Sequence, residues 1–409
     1  MKKIKLAIYA IHPIMYQVPI FAALERRIVS GRANLESMVY FGDNLSLREV
    51  FFEETRVVFK PDTPYLLSGY RYHFLKNLSR DSRSGFFSRI NPSLIKHLRS
   101  DKPNVLLVHG YESLTSWLAV VFAKLMGIKV IWRGEAVRRS AQPGWKRALK
   151  RAVLGTLFGS CDALLYSCSG NKEYLEAFGI PESRMFPIPC AVDNDFFRSE
   201  HERLVPQRQA IRYSLGIDSN DFVVLFCARF TLRKRPMDLI RALVAIDDKG
   251  IVALFVGDGP ERAQLEEAAR QSGIRAVFSG FKNQSEVGQY YCIADVACVI
   301  SEHDPSPKAM NEAMNFGLPV VVTDVVGTAQ DLVRDHDNGF IIQVGELDQF
   351  ANRLRRLRRD PQLVSRMGAR SLEIVAEWNY EKDVDGILAA IDFVLPGRTI
   401  VDEVADGTY

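Results

Sequence analysis

Short apolar segments alternate with amphipathic segments along the first half of the chain. The apolar segments have the length of single strands, and the segments between them repeat apolar residues every three or four positions, as one face of a helix does. Strands that alternate with helices predict a parallel sheet. The predicted strands are Leu6–Ala10, Leu35–Phe41, Val105–His109, Lys129–Trp132 and Ala163–Ser167, and the predicted helices are Pro19–Val29, Ser93–Ser100, Leu114–Met126 and Trp145–Phe158.

The second half of the chain repeats this alternation after a polar stretch. We interpret the charged residues Arg198–Asp221 as a connection between two domains, and residues 43–90 as an insertion with irregular structure. The second series predicts the strands Val223–Ala228, Ile251–Val256, Val277–Ser279, Val296–Ile300, Val320–Val322 and Gly339–Val344, and helices near Pro236–Ala245, Pro260–Ser272, Gln284–Ala294, Leu347–Arg359, Pro361–Trp378 and Tyr380–Leu395.

Composition is typical of a soluble protein of two domains. The chain has 409 residues, of which 47% are hydrophobic and 25% charged, and its net charge of +4 is too small to indicate nucleic-acid binding. The six cysteines form no CxxC pair, which favours reduced thiols over disulfides or a zinc site. Because no window offers 18 uncharged apolar residues, we expect a cytoplasmic protein, with peripheral contact to the inner face of a membrane as an option.

The strongest chemical signal is the stretch Asp304–Pro319, which lies between two predicted strands. Ser306 is predicted to cap a short helix that has Pro307 as its first residue, and Gly317 to end it. The helix N-terminus would then lie at the carboxyl end of a parallel strand, where backbone amides attract anions. With the carboxylates of Asp304 and Glu312 beside it, the site suits a ligand that carries both phosphates and hydroxyls.

Two further segments follow strands of the second series. The first contains four cations, Arg229, Arg233, Lys234 and Arg235, which suit a diphosphate but would equally form a solvated basic turn. The second, Gly257–Pro260, allows close approach of the backbone to a ligand, although the same residues also make a tight turn into a helix.

In the first half, His109 and Arg133 end two neighbouring predicted strands. His109 is placed to face a ligand, and the alternative is a histidine satisfied by its neighbours at a strand end. The predicted helix 145–158 is basic and amphipathic, which suits an anionic membrane surface or an ordinary surface helix.

Taken together, these residues resemble the retaining GT-B glycosyltransferases of family 4. Members carry an acidic residue, a short loop, Asn-Glu-Ala-Met and then Gly-Leu-Pro-Val, and Asn311–Met314 and Gly317–Val320 match this pattern. The resemblance covers about residues 160–345 and is looser over 1–140. Further matching segments follow in the same order: Phe178–Pro181, Pro187–Asp193, Ala228-Arg229 with Lys234, Gly257–Pro260, Gly280-Phe281, Val326–Thr328 and Asn338–Phe340.

The resemblance implies an α/β protein of two Rossmann-like domains whose parallel sheets face one another across a cleft. Residues 1–198 would bind the acceptor and 199–380 the nucleotide-sugar donor, and a C-terminal helix within 381–409 would pack on the first domain. The expected donor is a UDP-sugar first and a GDP-sugar second, and the expected acceptor is a growing cell-surface glycan or a lipid-linked oligosaccharide. Neither a metal nor a separate cofactor is expected.

The resemblance also implies a role for each site residue. Arg229 and Lys234 would stabilise the leaving diphosphate, Glu312 would bind the ribose, and Asp304 would contact the transferred sugar. The predicted catalytic residues are Asp304, Glu312, Arg229, Lys234 and His109; the predicted donor-binding residues are Arg229, Lys234, Gly257, Gly259, Phe281, Lys282, Asp304, Ser306, Lys308, Ala309 and Glu312.

Three residues depart from the family pattern and keep other functions open. Asp304 replaces the usual Glu, Pro307 stands where Gly is common, and Arg133 stands where many members carry His. A non-catalytic GT-B protein that binds a sugar nucleotide or a glycan is therefore the main alternative. A sugar-nucleotide epimerase is disfavoured by the Asn311–Met314 match, and a dehydrogenase by the absence of GxGxxG after the first strand.

Overall fold

The computed structural model describes residues 3–47, 50–52, 57–59, 66–80, 85–137, 144–398 and 400. The chain divides into two compact units, and each is described by itself. The first unit takes Met1–Arg48, Thr63–Cys190 and Tyr380–Tyr409, and the second takes Glu49–Asp62 and Ala191–Asn379.

The first unit is built on a seven-stranded sheet in which all paired strands are parallel. Up to Cys190 the strands are β1 (Ile4–Ala10), β2 (Leu35–Phe41), β3 (Val50–Phe52), β4 (Val57–Phe59), β5 (Tyr72–Phe74), β6 (Val105–His109), β7 (Lys129–Gly134), β8 (Ala163–Tyr166) and β9 (Met185–Pro187). The short strands β3 and β4 lie in the segment Glu49–Asp62 of the second unit and form a separate two-stranded sheet. The seven-stranded sheet has the order β5-β2-β1-β6-β7-β8-β9.

Helices cover both faces of this sheet because alternate strand residues point to opposite sides. Leu6 and Ile8 of β1 pack on one side, and Ala7 and Tyr9 on the other. The helices of the unit are α1 (Val18–Val29), α2 (Ser93–Asp101), α3 (Leu114–Leu125), α4 (Gly144–Ser160), α5 (Ser169–Glu176) and a C-terminal helix (Tyr380–Val394). The face with Leu6 and Ile8 is covered by α1 and the C-terminal helix, and the opposite face by α2 to α5.

The C-terminal helix is fixed to the first unit by packing and by ion pairs. Its apolar residues join the core beside α1, and Arg27 of α1 contacts Glu381 at 2.8 Å and Asp385 at 3.0 Å. A Cβ built at Gly386 would overlap the carbonyl oxygen of Pro187, so glycine is what allows the helix to lie so close to β9.

The second unit contains a parallel sheet of six strands with the order β12-β11-β10-β13-β14-β15. The strands are β10 (Phe222–Cys227), β11 (Ile251–Val256), β12 (Ala276–Phe278), β13 (Val296–Val299), β14 (Val320–Thr323) and β15 (Gly339–Ile342). The helices are α6 (Asn194–Leu204), α7 (Arg208–Ser214), α8 (Pro236–Ile246), α9 (Arg262–Ser272), α10 (Gln284–Ile293), α11 (Lys308–Asn315), α12 (Ala329–Leu332), α13 (Leu347–Arg359) and α14 (Pro361–Ala376).

The predicted connection Arg198–Asp221 is wrong, because most of it is helical and packed. Helices α6 and α7 both contact α10. Arg208 and Arg212 reach Asp295 at 2.6 and 2.8 Å, and Arg212 is buried. The polar composition therefore includes ion pairs that fasten α7 to the second unit. Composition alone cannot distinguish such packed helices from a linker.

The predicted irregular insertion 43–90 is only partly irregular. Within its described residues, Tyr72–Phe74 forms β5, which pairs with β2 at the edge of the first sheet. This strand is short and its residues are exposed or half-buried, so the sequence lacks the buried alternation that identifies a strand. Residues 48–49, 53–56, 60–65 and 81–84 lie outside the described residues.

The predicted fold class is confirmed, since both units are parallel α/β sheets of the Rossmann-like kind. Apolar runs such as those of β1 and β11 are buried on both faces, as parallel strands between two layers of helices require. Among the described residues, no helix is both long and apolar enough to cross a membrane.

Candidate functional site

The candidate site of the second unit forms where β13 leads into α11. The helix begins at Lys308, and Pro307 precedes it with an extended backbone (φ −69°, ψ 110°). The prediction that Ser306 caps the helix and that Pro307 lies inside it is therefore wrong by one residue, because proline occupies the capping position. The orientation of the helix is as predicted, with its N-terminus beyond the carboxyl end of a parallel strand.

Asp304 is held in this loop and faces a cation from another strand end. Its backbone bridges to Val326, and the amide of Gly327 donates to the Asp304 carbonyl oxygen at 2.8 Å. Lys234, in the turn after β10, forms a salt bridge to the Asp304 carboxylate, and both side chains are largely buried. The structure therefore brings together two of the residues that the sequence singled out, from positions 70 apart in the chain.

The other predicted cations have different surroundings. Arg233 donates to the backbone carbonyl oxygen of His303, and Arg235 pairs with Asp238 at 2.6 Å. Arg229 is exposed at the end of β10. The alternative of a solvated basic turn therefore does not describe this segment. Lys234 and Arg233 connect it to the loop before α11, and Arg235 connects it to the start of α8.

Glu312 lies within α11 and accepts a hydrogen bond from a buried tyrosine. The hydroxyl of Tyr291 donates to Glu312 Oε2 at 2.6 Å and lies 3.3 Å from Cys227 Sγ. Burial raises the pKa of Tyr291 well above its ordinary value, with smaller contributions from Cys227 and Glu312. Burial and then the charge of Glu312 raise the pKa of Cys227 to about 12. At neutral pH both groups stay protonated, so Tyr291 remains a donor to the carboxylate.

Gly257 and Gly259 approach the protein's own backbone. A Cβ built at Gly257 would overlap the carbonyl oxygen of Ala228, and one at Gly259 would overlap that of Phe230. Both glycines have positive φ, at 135° and 158°. The sequence predicted a close backbone approach here, and the contact that the structure shows is with the loop that carries Arg229. The two glycines therefore allow that loop to pack closely against the turn after β11.

The remaining predicted donor-binding residues lie at the same edge of the second unit. Phe281 is exposed to 40%, and Lys282 Nζ lies 5.7 Å from the ring centroid of Tyr290. Three predicted residues at the start of α11 are half-buried: Ser306, Lys308 and Ala309.

His109 belongs to the first unit, where it ends β6. It is buried, and its ring packs edge-on against Phe21. Gln17 and Arg133 both contact its Nδ1 atom. Burial, and then the charge of Arg133, hold the pKa of His109 well below its ordinary value. His109 is therefore a neutral ring at physiological pH.

Sequence reasoning missed two of these contacts, Tyr291 with Glu312 and Gln17 with His109. Tyr291 lies among apolar residues of α10 and Gln17 just before α1, and neither carries a motif. Both act through residues distant in the chain, so only the tertiary structure reveals them. No group of three His, Cys, Asp or Glu side chains that could hold a metal occurs in the part of the chain that the structure describes.

Comparison with solved structures defines the class of protein. The chain superposes on a structure of Alr3699/HepE from Anabaena in complex with UDP, with a TM-score of 0.71 and 16% sequence identity. The alignment covers 95% of this chain and 99% of that one. The fold is thus the GT-B fold, with two Rossmann-like parallel sheets.

Sequence comparison then finds a matching family model. Residues 207–373 match the model of the family described as Glycosyl transferases group 1. The matched region includes Lys234, Asp304 and Glu312, and it confirms the resemblance as far as glycosyltransferases of this group.

Curated relatives agree with this assignment. An uncharacterized glycosyltransferase of Methanocaldococcus jannaschii is 30% identical over 200 residues, which is 47% of this chain and 50% of that protein. The UDP-Gal:alpha-D-GlcNAc-diphosphoundecaprenol alpha-1,3-galactosyltransferase of Escherichia coli is 25% identical over 341 residues, 80% of this chain and 85% of that protein. The chain spans about half the length of several other curated relatives that it matches.

Proposed function

We propose that this chain is a retaining, metal-independent glycosyltransferase that moves a sugar from a nucleotide-diphosphate donor to a glycan or lipid-linked acceptor. The observation that carries the proposal is the pairing of Lys234 with Asp304 beside the N-terminus of α11. In this pair, Lys234 is a cation that can stabilise the leaving group, and Asp304 is a carboxylate that can contact the sugar. Both residues lie in the region that matches a glycosyltransferase family model.

The donor would lie across the carboxyl edge of the second sheet. Lys234 and Arg229 supply positive charge for the diphosphate, and the first turn of α11 adds backbone amides and the positive end of its dipole. These groups do what a divalent metal does in other transferases, because they stabilise negative charge that develops on the leaving group. Glu312, oriented by Tyr291, would accept hydrogen bonds from the ribose hydroxyls.

The proposed reaction breaks the bond between the anomeric carbon and the β-phosphate oxygen and forms one to an acceptor hydroxyl on the same face of the sugar. A β-phosphate oxygen takes the proton of that hydroxyl, so no protein base is required. Asp304 would contact the sugar once the diphosphate competes with it for Lys234. UDP is the first candidate for the nucleotide, since the superposed Anabaena structure contains UDP, and GDP is the second.

A donor screen tests the donor part of the proposal. We expect calorimetry to detect binding of UDP or a UDP-sugar to the purified full chain, with GDP as the alternative and with no change when excess chelator is present. Absence of binding to UDP, GDP, ADP and TDP alike would overturn the assignment of the site. Loss of turnover in chelator would overturn metal independence.

A non-catalytic protein that binds a sugar nucleotide is the second candidate. It is favoured by Pro307, which lacks an amide hydrogen at the position before α11 where a donor phosphate would otherwise find one. The two candidates differ in turnover. Donor binding without release of the nucleoside diphosphate, in the presence of undecaprenyl-diphosphate-linked sugar acceptors, would support the binding protein and contradict the enzyme.

A lipid-linked acceptor would require contact with a membrane, and we propose that α4 provides it. Trp145, Leu149 and Val153 recur every four residues on α4 and are exposed to 67%, 59% and 43%. Arg151 is exposed beside them, whereas the side chains of Lys146 and Arg147 lie outside the described part of the structure. An exposed apolar stripe flanked by basic residues suits an anionic lipid surface.

Vesicle flotation tests this contact. We expect the chain to float with vesicles that contain phosphatidylglycerol and to remain unbound with phosphatidylcholine alone. The double change Trp145→Ser and Leu149→Ser should reduce flotation by about tenfold or more, since it removes the two most exposed apolar side chains of the stripe. Val29→Ser is the control, because Val29 is an apolar residue of α1 that is exposed to 79%. Equal flotation of both variants and the wild type would contradict the proposal.

A further inference from the structure

Three polar side chains meet inside the first unit and form a buried cluster of Gln17, His109 and Arg133. Gln17 directly precedes α1, His109 ends β6, and Arg133 lies on β7 in register with His109. All three are at least nine-tenths buried. A buried polar cluster of this kind costs free energy unless its donors and acceptors are matched, so its hydrogen-bond pattern is informative.

Both neighbours approach the same ring nitrogen of His109. The side-chain Nε2 atom of Gln17 lies within hydrogen-bond distance of Nδ1, and Arg133 Nη1 lies 3.5 Å from the same atom. A guanidinium has donors only, so Arg133 decides the pattern even though a glutamine amide can be turned over. A proton on Nδ1 would point at two N–H groups. Nδ1 is therefore the acceptor, and in the neutral ring the proton is on Nε2.

The other ring nitrogen has no hydrogen-bond partner among the residues that the structure describes. Nε2 of His109 is buried and makes no hydrogen bond to any residue that the structure describes. An N–H donor withdrawn from water without an acceptor is unfavourable by about 1–3 kcal/mol. A ligand that presents an oxygen to this atom would remove that penalty on binding.

We propose that Gln17 and Arg133 lock His109 in the neutral tautomer with its proton on Nε2, so that His109 donates a hydrogen bond to a ligand oxygen and does not take up a proton during the reaction. Gln17 and Arg133 are then positioning residues. That the ligand oxygen belongs to the sugar or to the acceptor rests on the proposed function, whereas the tautomer does not.

The surroundings of the ring favour this state throughout the physiological range. Phe21 of α1 packs edge-on at 5.7 Å and offers no charge. Arg133 places a positive charge at Nδ1, and its Nη2 atom lies 3.4 Å from Glu135, which is partly exposed. A second proton would give the ring a positive charge beside the Arg133 guanidinium and away from water. Charge repulsion and burial both oppose this protonation.

Nitrogen NMR of the histidine rings tests the tautomer directly, without any substrate. The chain contains seven histidines, and the His109 signals are identified by their loss in His109→Gln. We expect the His109 ring to show an unprotonated Nδ1 and a protonated Nε2 from about pH 5.5 to pH 8. A proton on Nδ1, or titration near pH 6.5, would overturn the proposal.

Two substitutions test whether Gln17 and Arg133 set the tautomer of His109 or only stabilise the fold. Gln17→Glu replaces a donor with a carboxylate of the same shape, which should move the proton to Nδ1 and bring titration of the ring into the range of pH 6–8. Arg133→Met should raise the pKa of His109 towards its ordinary value. If His109 in both variants keeps the wild-type pattern, neither residue sets the tautomer and the proposal fails.

Replacement of His109 itself distinguishes donation from proton transfer. The amide nitrogen of Gln can reproduce a donor near Nε2, whereas that of Asn lies nearer Nδ1. We expect His109→Gln to keep activity within about tenfold of wild type, and His109→Asn to lose about 10- to 100-fold, mainly in kcat/KM. Equal and severe loss in both would favour proton transfer and contradict donation. If no transfer is detected at all while NMR shows the predicted tautomer, the proposed function fails and the tautomer stands.

Discussion

The two candidate sites of the molecule are built on opposite electrostatic principles. In the second unit, Lys234 and Asp304 form an ion pair and a further carboxylate, Glu312, lies on α11. In the first unit, His109 is a neutral ring whose one accepting nitrogen is already taken. Charge in the second site suits a diphosphate that leaves with additional negative charge, and a fixed neutral donor suits recognition of an uncharged hydroxyl.

This difference also explains why the second site is easier to predict from the sequence than the first. A charged site requires particular residues at particular strand and helix ends, so Lys234, Asp304 and Glu312 stand within motifs. A neutral donor can be positioned by whichever polar residues pack around it. Gln17 therefore lies in no motif, and Arg133 departs from the family pattern, although their contacts define the state of the ring.

The largest effect that the comparison predicts is for Lys234→Ala. The change removes the cation that we propose stabilises the leaving diphosphate, and it leaves the buried Asp304 carboxylate without its partner. Transfer should therefore fall by about 100- to 1,000-fold. Steady-state release of the nucleoside diphosphate measures it. Lys249→Ala removes an exposed lysine before β11 and should leave activity unchanged. Similar rates in the two variants would show that the second site does not depend on this charge.

A second prediction concerns the backbone that supports the charged site. Gly257→Ala would place a methyl group on the carbonyl oxygen of Ala228, in a backbone conformation (φ 135°) that L-residues rarely adopt. We expect a loss of about 3 kcal/mol or more in the unfolding free energy, measured by urea denaturation.

Gly216→Ala is the matched control for this change. Gly216 also has positive φ, at 70°, but nothing lies within 4 Å of its built Cβ. Its substitution should cost only about 1–2 kcal/mol, the penalty for the left-handed backbone alone. An equal loss of unfolding free energy in the two variants would show that the contact with Ala228 does not contribute to the effect of Gly257→Ala.

Much of the second unit could be predicted from the sequence. Helix α13 has the predicted bounds, and the Asp304–Pro319 stretch forms the predicted loop and helix between two strands. Both predictions succeed because hydrophobic periodicity and the positions of glycine and proline are local properties of the sequence. The position of Pro307 was wrong by one residue, which is the usual uncertainty at helix ends.

What the sequence could not reveal depends on contacts between distant segments. Polar helices α6 and α7 resembled a linker until Arg208 and Arg212 were seen to pair with Asp295. The close approach at Gly257 was predicted, but its partner at Ala228 was not. The roles assigned to Arg229, Lys282 and Ser306 remain predictions, as do those assigned to Lys234, Asp304 and Glu312.

A smaller effect is expected for Tyr291→Phe. The change keeps the ring and removes the hydroxyl that donates to Glu312, so the carboxylate loses its orientation but stays in place. We expect about tenfold weaker donor binding by calorimetry with little change in kcat. Tyr290→Phe, on the same helix, is the control. A drop in kcat without a change in binding would place Glu312 in the chemical step instead of at the ribose.

The smallest effect concerns pH and distinguishes the neutral site from the charged one. His109 has a depressed pKa in the folded chain, so below its unfolded value of about 6.5 the unfolded chain binds more protons than the folded one. Stability should therefore fall as pH decreases below about 6.5, by at most about 1.4 kcal/mol per pH unit from this residue. His109→Gln should flatten the dependence of the unfolding free energy on pH between about 5 and 6.5, whereas Lys234→Ala should not. If His109→Gln leaves that slope unchanged, the ring is not held neutral in the folded chain, and the contrast between the two sites is wrong.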